Sequence, residues 1–165
     1  MLKQKTDNQS QKDIIMDNSK TVSTLNDLLK ITNDRIEGFN KVEDKVWDTY
    51  APLKNDYDQM VSESQMMKSD LLSLIREAGG KPDDSTTTAG ALHRSWIDIK
   101  NSFSGDKAES TLENVVFGER AAINTYEEAL QDGNLSPQCT MVVAEHLAKL
   151  RSSYSKFENL EKSND

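Results

Sequence analysis

The sequence predicts an all-α fold, organised as a four-helix bundle with a long middle connection. Apolar residues recur at steps of three and four along four stretches of the chain, which is the spacing of one helix face. Only seven Gly and three Pro occur among 165 residues, and most of them lie at the breaks between these stretches. Hydrophobic residues make up 35% of the chain, a low share that suits helices which each bury a single stripe.

The first two stretches predict an antiparallel helical hairpin. The first begins near Val22 and continues to about Val46, and the second begins at Pro52, a residue suited to a first helical turn. The run Gly79-Gly80-Lys81-Pro82 predicts the end of the second helix. The inward positions of the two helices are Val22, Leu25, Leu29, Thr32, Ile36, Phe39, Glu43 and Val46, and then Leu53, Tyr57, Met60, Ser64, Met67, Leu71 and Leu74.

The last two stretches predict a second hairpin. The third long helix runs from about Asp106 to Gln131, and Gly133 ends it. Ser136 can cap the fourth helix, with Pro137 in its first turn. The inward positions are Leu112, Val115, Glu119, Ala122, Tyr126 and Ala129, and then Val143, Leu147, Leu150, Tyr154, Phe157 and Leu160.

The connection between the two hairpins predicts their relative direction. A polar stretch from Asp83 to Thr88 precedes a shorter helix over about Ala89 to Ser104. Together they are long enough to travel the length of the bundle, whereas a simple up-down-up-down bundle needs only a short loop there. The sequence therefore predicts a ferritin-like four-helix bundle with a long crossover that contains an extra short helix.

The N-terminal residues differ from the rest of the chain. Residues 1–18 mix Lys, Gln, Asn, Asp and Ser with few apolar residues to bury. We therefore expect a flexible polar tail over 1–18 and one bundle domain over 19–162.

Charge and the lengths of the apolar runs limit the partners of this chain. A net charge of -8, with no long basic run, disfavours nucleic acid and anionic membranes. The longest apolar run, from Met141 to Ala144, is far shorter than the ~20 residues that cross a bilayer, and no signal peptide is visible. Cys139 is the only cysteine, so no internal disulfide can form and we expect a cytoplasmic location.

Several short segments carry a resemblance to a known family. They are Leu25-Asn26-Asp27-Leu28-Leu29 with Glu37-Gly38-Phe39, Gly79-Gly80-Lys81-Pro82, the run from Gly90 to Trp96, Gly118-Glu119, and the run from Tyr126 to Leu130. On these segments the chain resembles a bacterial ferritin-like four-helix-bundle family of unknown function, over about residues 22–162. The resemblance implies a bundle related in fold to ferritins and rubrerythrins, with no established reaction. Members of that family often have His where this chain has Tyr154.

Glu119 is the inward carboxylate that most needs a partner. It falls on the same helix line as Val115, Ala122 and Tyr126. A buried carboxylate requires a cation, a hydrogen-bond donor or a proton. A salt bridge or a hydrogen bond to a tyrosine, partial exposure at a helix seam, and ligation of a metal are the three alternatives.

The sequence lacks the usual ligands of a di-metal bundle. Such a centre takes Glu-x-x-His pairs from two helices, but Met66 follows Glu63 at that spacing and Ala148 follows Glu145. We therefore expect no catalytic residue and no cofactor. The alternative is a degenerate iron or manganese centre, whose ligands would come from Glu37, Glu43, Glu119 and His146.

A second group of polar and aromatic residues belongs to the predicted crossover helix. Trp96 is suited to anchor that helix on the bundle, with His93 and Asp98 satisfying polar groups near it. A ligand pocket under the crossover is the functional alternative, since pockets form between bundle helices. Tyr126 and Tyr154 are further structural or pocket candidates on the third and fourth long helices.

The sequence favours a role without catalysis. We expect a structural or protein-interaction module of a bacterium, with a part in stress or envelope assemblies, acting as a homo-oligomer or with an unidentified protein partner. Trp47 and Tyr50 lie off the inward line and could supply an interface. The alternative is a degenerate, carboxylate-rich metal-binding bundle that stores or oxidises iron or manganese.

Overall fold

The computed structural model describes residues 2–87 and 108–163, and every regular element in these two ranges is helical. The long helices are α1 (Leu2–Asn40), α3 (Lys54–Glu77), α4 (Ala108–Gln131) and α5 (Pro137–Ser163). A short helix α2 (Val46–Thr49) and a 3-10 turn (Ala51–Leu53) lie between α1 and α3. The prediction of an all-α fold is confirmed.

Side-chain contacts give the direction of each long helix. Along α1, Thr21, Thr32 and Arg35 bond to Asn134, Tyr126 and Glu119, so α4 runs antiparallel to α1. Helix α3 is also antiparallel to α1, because Arg35 contacts Met67 whereas the earlier residue Asn26 reaches Lys81, beyond the end of α3.

Helices α3 and α4 are therefore parallel to each other. The chain between Glu77 and Ala108 must join opposite ends of the bundle, as the long middle connection in the sequence indicates. Helix α5 is antiparallel to α3, since His146 meets Asp70 and Lys156 meets Asp56. The predicted crossover helix over 89–104, with His93, Trp96 and Asp98, lies outside the described residues.

The helix boundaries follow local chemistry at three breaks. Gly79, at a φ of 78°, ends α3 in a left-handed conformation that glycine adopts without strain. Its amide donates to the Arg76 carbonyl at 3.0 Å, while the Gly80 amide donates to the Ile75 carbonyl at 2.9 Å, the pair of bonds typical of a Schellman motif. At the start of α5, Ser136 Oγ accepts from the Cys139 amide at 3.3 Å, as expected of a cap.

Helix α1 has other limits than the sequence predicts. It begins at Leu2, well before Val22, and ends at Asn40, before Val46. No Gly or Pro occurs before Gly38, so nothing in the local sequence stops the helix from extending toward the N-terminus. The backbone of most of the predicted tail is thus helical, while its flexibility stays a prediction.

The apolar core has two parts. The first contains Leu25, Leu28, Leu29, Ile31, Met67, Leu71, Leu74, Ile75, Ala122, Ile123, Tyr126, Ala129, Cys139, Val143, Leu147 and Leu150. The second contains Phe39, Val46, Trp47, Tyr50, Leu53, Tyr57, Met60, Leu112, Val115, Val116 and Phe157. Trp47 and Tyr50 are therefore core residues and not the exposed interface that the sequence suggested. The Trp47 ring packs against that of Tyr57 on α3, with the ring centres 4.6 Å apart.

A layer of buried polar residues lies between the two core parts. Each long helix contributes one residue, and this polar layer consists of Arg35, Ser64, Glu119 and Ser153. Along every helix these positions fall between the last residue of one apolar cluster and the first residue of the other. The bundle interior is therefore not continuous apolar packing.

The described part of the middle connection is bound to the outer side of α1. Asn26 accepts a hydrogen bond from the Asp83 amide at 2.8 Å, and Asn33 donates to the Ser85 carbonyl at 3.0 Å. Thr87 donates to the Asp34 carboxylate through both its amide and its hydroxyl. Residues 83–87 thus follow α1 from the level of Asn26 to that of Asp34.

Candidate functional site

The polar layer is built around an ion pair between Arg35 and Glu119. Arg35 Nε lies 2.6 Å from Glu119 Oε1, and Arg35 Nη2 lies 2.9 Å from Glu119 Oε2. The two side chains are only 2% and 0% exposed. Both carboxylate oxygens are therefore taken by one guanidinium, in the bidentate geometry that gives the strongest pairing of these groups.

The remaining sides of the Arg35 guanidinium are also in contact with the protein. Its Nη1 donates to Met67 Sδ at 3.7 Å, and its Cζ lies 5.1 Å from the centre of the Phe39 ring. A guanidinium over an aromatic face gains from the negative potential of the ring. Arg35 is thus held by three of its neighbours from α1, α3 and α4.

A chain of hydrogen bonds crosses the bundle near the ion pair. Asp70 Oδ2 lies 2.9 Å from His146 Nε2, and His146 Nδ1 lies 3.2 Å from the Tyr126 hydroxyl. The Tyr126 hydroxyl lies 3.3 Å from Thr32 Oγ1, which donates to the Leu28 carbonyl at 2.8 Å. We call this set of four side chains, Asp70, His146, Tyr126 and Thr32, the hydrogen-bond chain. It begins at an Asp70 carboxylate that is 55% exposed and ends at side chains that are fully buried.

Burial determines the charge of the two inner titratable groups. Removal from water raises the pKa of Tyr126 to about 12, against an opposing hydrogen bond with Thr32. Burial also disfavours the charged form of His146, which for a base lowers the pKa below its ordinary value, although the Asp70 carboxylate acts in the other direction. At neutral pH both rings are therefore neutral. Because Asp70 can only accept, the neutral imidazole carries its proton on Nε2 and leaves Nδ1 as an acceptor.

Two of the four candidate ligands of the alternative metal centre, Glu37 and Glu43, lie at the surface. Glu37 is 55% exposed and pairs with Lys41 at 3.1 Å, and Glu43 is 47% exposed and pairs with Lys45 at 3.1 Å. Glu43 lies in the turn after α1, because the helix ends before the position that the sequence assigned to its inward line. Glu119 and His146 are both buried, but each has its own protein partners.

Within the described ranges, no group of three or more His, Cys, Asp or Glu side chains is arranged to hold a metal ion. Cys139 is buried and belongs to the first core cluster. Tyr154 is half-buried, and its hydroxyl accepts from Arg120 Nη2 at 2.7 Å. The Tyr126 hydroxyl thus belongs to the hydrogen-bond chain, whereas the Tyr154 hydroxyl is bound to Arg120.

A small cleft lies between α3 and α5 beside the polar layer. Met60 and Ser153 are buried residues in its lining, and its volume is about 80 Å³. Opposite charges line it, with Lys156 Nζ 3.2 Å from Asp56 Oδ1. The cleft is large enough for several water molecules.

Sequence reasoning missed Arg35, Asp70 and Ser153, the last because its neighbour Tyr154 was placed on the inward line. Arg35 lies three residues after Thr32 and four before Phe39, which is helical spacing, but the apolar neighbour Ile36 was placed on the inward line instead. Ile36 is only half-buried, whereas Arg35 is fully buried. Asp70 gave no local signal, since a half-exposed helical carboxylate is ordinary until its partner is known.

The described residues define an all-α protein whose long helices enclose paired polar groups. Among the described residues, no helix combines the length and the apolar character that crossing a membrane requires. The chain belongs to the family described as a domain of unknown function (DUF2383), which matches residues 20–132. Searches of curated proteins and of solved structures found no match.

The family match includes α3, α4 and most of α1. It contains Arg35 and Glu119, and also Thr32, Asp70 and Tyr126, whereas His146 on α5 lies beyond it.

Proposed function

We propose that this protein is a non-enzymatic helical bundle that acts through protein contacts, on a ferritin-like topology whose metal centre has been replaced by an internal ion pair. The up-down-down-up direction of the four long helices supports that topology. A bacterial setting and a role in stress belong to the same proposal, and so does a cytoplasmic location, which rests on the single cysteine.

The observation that carries the proposal is the bidentate contact between Arg35 and Glu119. A metal-binding bundle directs carboxylate oxygens at an ion between its helices. Here both oxygens of Glu119 accept from one guanidinium at 2.6 and 2.9 Å, and a cation in the same place would have to displace a buried positive charge. The Arg35 guanidinium therefore supplies the positive charge that a metal ion would otherwise bring to the Glu119 carboxylate.

Exposed apolar side chains are the natural source of protein contacts. Met66, Phe117 and Met141 are 59%, 45% and 74% exposed, on α3, α4 and α5. Phe117 is the best anchor of the three, because aromatic residues contribute most to interfaces. We infer that contacts with a second copy or with another protein use this side of α4.

Metal analysis tests the non-enzymatic part of the proposal. Untagged protein would be purified from medium supplemented with iron, manganese and zinc, next to Glu119→Gln and, as a matched control on the surface, Glu37→Gln. We expect no stoichiometric metal in any of the three proteins. Metal that is bound by the natural chain and by Glu37→Gln but lost in Glu119→Gln would overturn the proposal.

Sedimentation velocity over a range of concentrations tests the contact surface. We expect association that weakens in Phe117→Ser and not in Met66→Ser, a matched change of an exposed apolar residue on another helix. A natural chain that stays monomeric throughout would exclude the homo-oligomer and leave only a different protein as partner. Equal weakening in both variants would contradict the assignment to α4.

A further inference from the structure

The Tyr126 hydroxyl has one proton and two neighbouring acceptors. On one side lies His146 Nδ1 at 3.2 Å, and on the other lies Thr32 Oγ1 at 3.3 Å. The Thr32 proton is already used, because this hydroxyl donates to the Leu28 carbonyl at 2.8 Å. Only one of the two contacts of Tyr126 can therefore contain a proton while the imidazole is neutral.

Protonation of His146 would complete the hydrogen-bond chain. With protons on both ring nitrogens, Nε2 still donates to Asp70, and Nδ1 now donates to the Tyr126 oxygen. The Tyr126 proton is then free to turn toward Thr32, which continues to donate to Leu28. Every contact in the chain has one donor and one acceptor in this state.

We propose that the hydrogen-bond chain is a proton-binding switch, in which uptake of one proton from solvent at His146 Nδ1 reverses the Tyr126 hydroxyl from His146 to Thr32. The imidazole changes from neutral to a charge of +1, and the Asp70 carboxylate is its counter-ion. Apart from the new N–H bond at Nδ1, no covalent bond forms or breaks. The switch connects the exposed end of the chain on α3 to the inner face of α1.

Burial, and not the balance of the surrounding charges, explains why neutral His146 prevails at neutral pH. Burial is the largest influence and lowers the pKa of His146, and Lys149 on the same helix acts in the same direction. Asp70 on α3 and Glu145 on α5 oppose it. On α1, the charge of Arg35 acts on Tyr126 and is itself neutralised by Glu119. Acidification is therefore needed to operate the switch.

Nuclear magnetic resonance of the imidazole gives a direct test. The chain has two histidines, so a His93→Gln background leaves His146 as the only imidazole signal in the full-length protein. Its ring shifts would be followed against pH. We expect a protonation midpoint below that of a free histidine and a change at Nδ1, while near-ultraviolet circular dichroism shows that the protein stays folded.

Thr32→Val in the same background tests the reversal of Tyr126. Thr32 does not contact the imidazole, but the charged state needs its oxygen as an acceptor and the neutral state does not. The switch therefore requires that Thr32→Val lower the His146 midpoint, by roughly half a pH unit to one unit, the scale of one hydrogen bond. The matched control is Thr125→Val, which removes the same kind of bond, from Thr125 Oγ1 to the Ala121 carbonyl at 3.0 Å, outside the chain.

Three outcomes would overturn the switch. One is an identical midpoint in Thr32→Val and Thr125→Val, which would make Thr32 a packing residue only. Another is a protein that unfolds before His146 takes up a proton. The third is a midpoint that Tyr126→Phe does not lower although that variant is folded, since the change removes a charge-assisted bond from the protonated imidazole and only a weaker, neutral bond from the unprotonated one.

Discussion

The ion pair and the hydrogen-bond chain are neighbours in one bundle, yet they solve the burial of polar groups in opposite ways. Arg35 and Glu119 keep their charges and neutralise each other at 2% and 0% exposure. Tyr126 and His146 instead stay neutral, and their chain reaches an exposed carboxylate at Asp70. A buried charge requires a partner of fixed geometry. Neutral hydroxyl and imidazole groups can instead redistribute their protons without moving their heavy atoms.

The largest effect is expected from breaking the ion pair. Glu119→Ala leaves the Arg35 guanidinium buried without a counter-charge, which should lower the free energy of unfolding by about 3–5 kcal/mol. Urea denaturation followed by circular dichroism measures it. The exposed control Glu37→Ala should stay within about 0.5 kcal/mol of the natural chain, and equal losses in both would contradict the comparison.

The double variant Arg35→Met with Glu119→Leu sharpens this result. Because it removes both buried charges together, it should recover most of the stability lost in Glu119→Ala. A double variant that is no more stable than Glu119→Ala would mean that the site depends on shape more than on charge.

A smaller effect is expected in the hydrogen-bond chain. Tyr126→Phe removes the donor to His146 Nδ1 and leaves a buried neutral acceptor, at a cost of about 1–3 kcal/mol. Tyr154→Phe is the matched control, since that hydroxyl is half-buried and accepts from the exposed Arg120 side chain. The same urea titration would contradict our account if Tyr154→Phe were the more costly change.

Between neutral and mildly acidic pH, stability should depend on the protonation of His146 in the hydrogen-bond chain. The folded-state pKa of His146 is lowered, so below the ordinary histidine pKa of about 6.5 the unfolded chain binds more protons than the folded one. The stability due to neutral His146 is complete above that pH and is lost as the pH falls toward the folded-state pKa.

Thermal unfolding between neutral and mildly acidic pH measures this contribution. We expect the unfolding temperature of the natural protein to fall more steeply with acidification than that of His146→Gln, which lacks the titrating imidazole. His93 is present in both proteins, so its contribution cancels. Parallel curves would show that His146 has the same pKa in both states.

The smallest effect is expected at the exposed end of the chain. Asp70→Asn keeps an acceptor oxygen for His146 Nε2 on a side chain that is 55% exposed, so the loss at neutral pH should stay below about 1 kcal/mol. The same urea titration measures it. A loss as large as that of Glu119→Ala would contradict the distinction between a buried pair and a solvent-connected chain.

Most of the secondary structure could be predicted because its causes are local. The positive φ of Gly79 and Gly133 and the cap at Ser136 fix helix ends within a few residues of themselves. The start of α1 was not predicted, because composition was weighed above the local signals that end a helix. Polar composition suggested a tail, but nothing before Gly38 interrupts a helix.

The sequence by itself determined the helical class, the ends of α3 and α4, the start of α5 and the inward position of Glu119, since these depend on spacing along the chain. Only the tertiary structure decided which groups meet. The rotation of α1 placed Arg35, and not Ile36, opposite Glu119, and the register of α3 against α5 placed Asp70 beside His146. Neighbouring residues on a helix point about 100° apart. Which of them meets a given partner therefore depends on packing between helices and not on the sequence pattern within one helix.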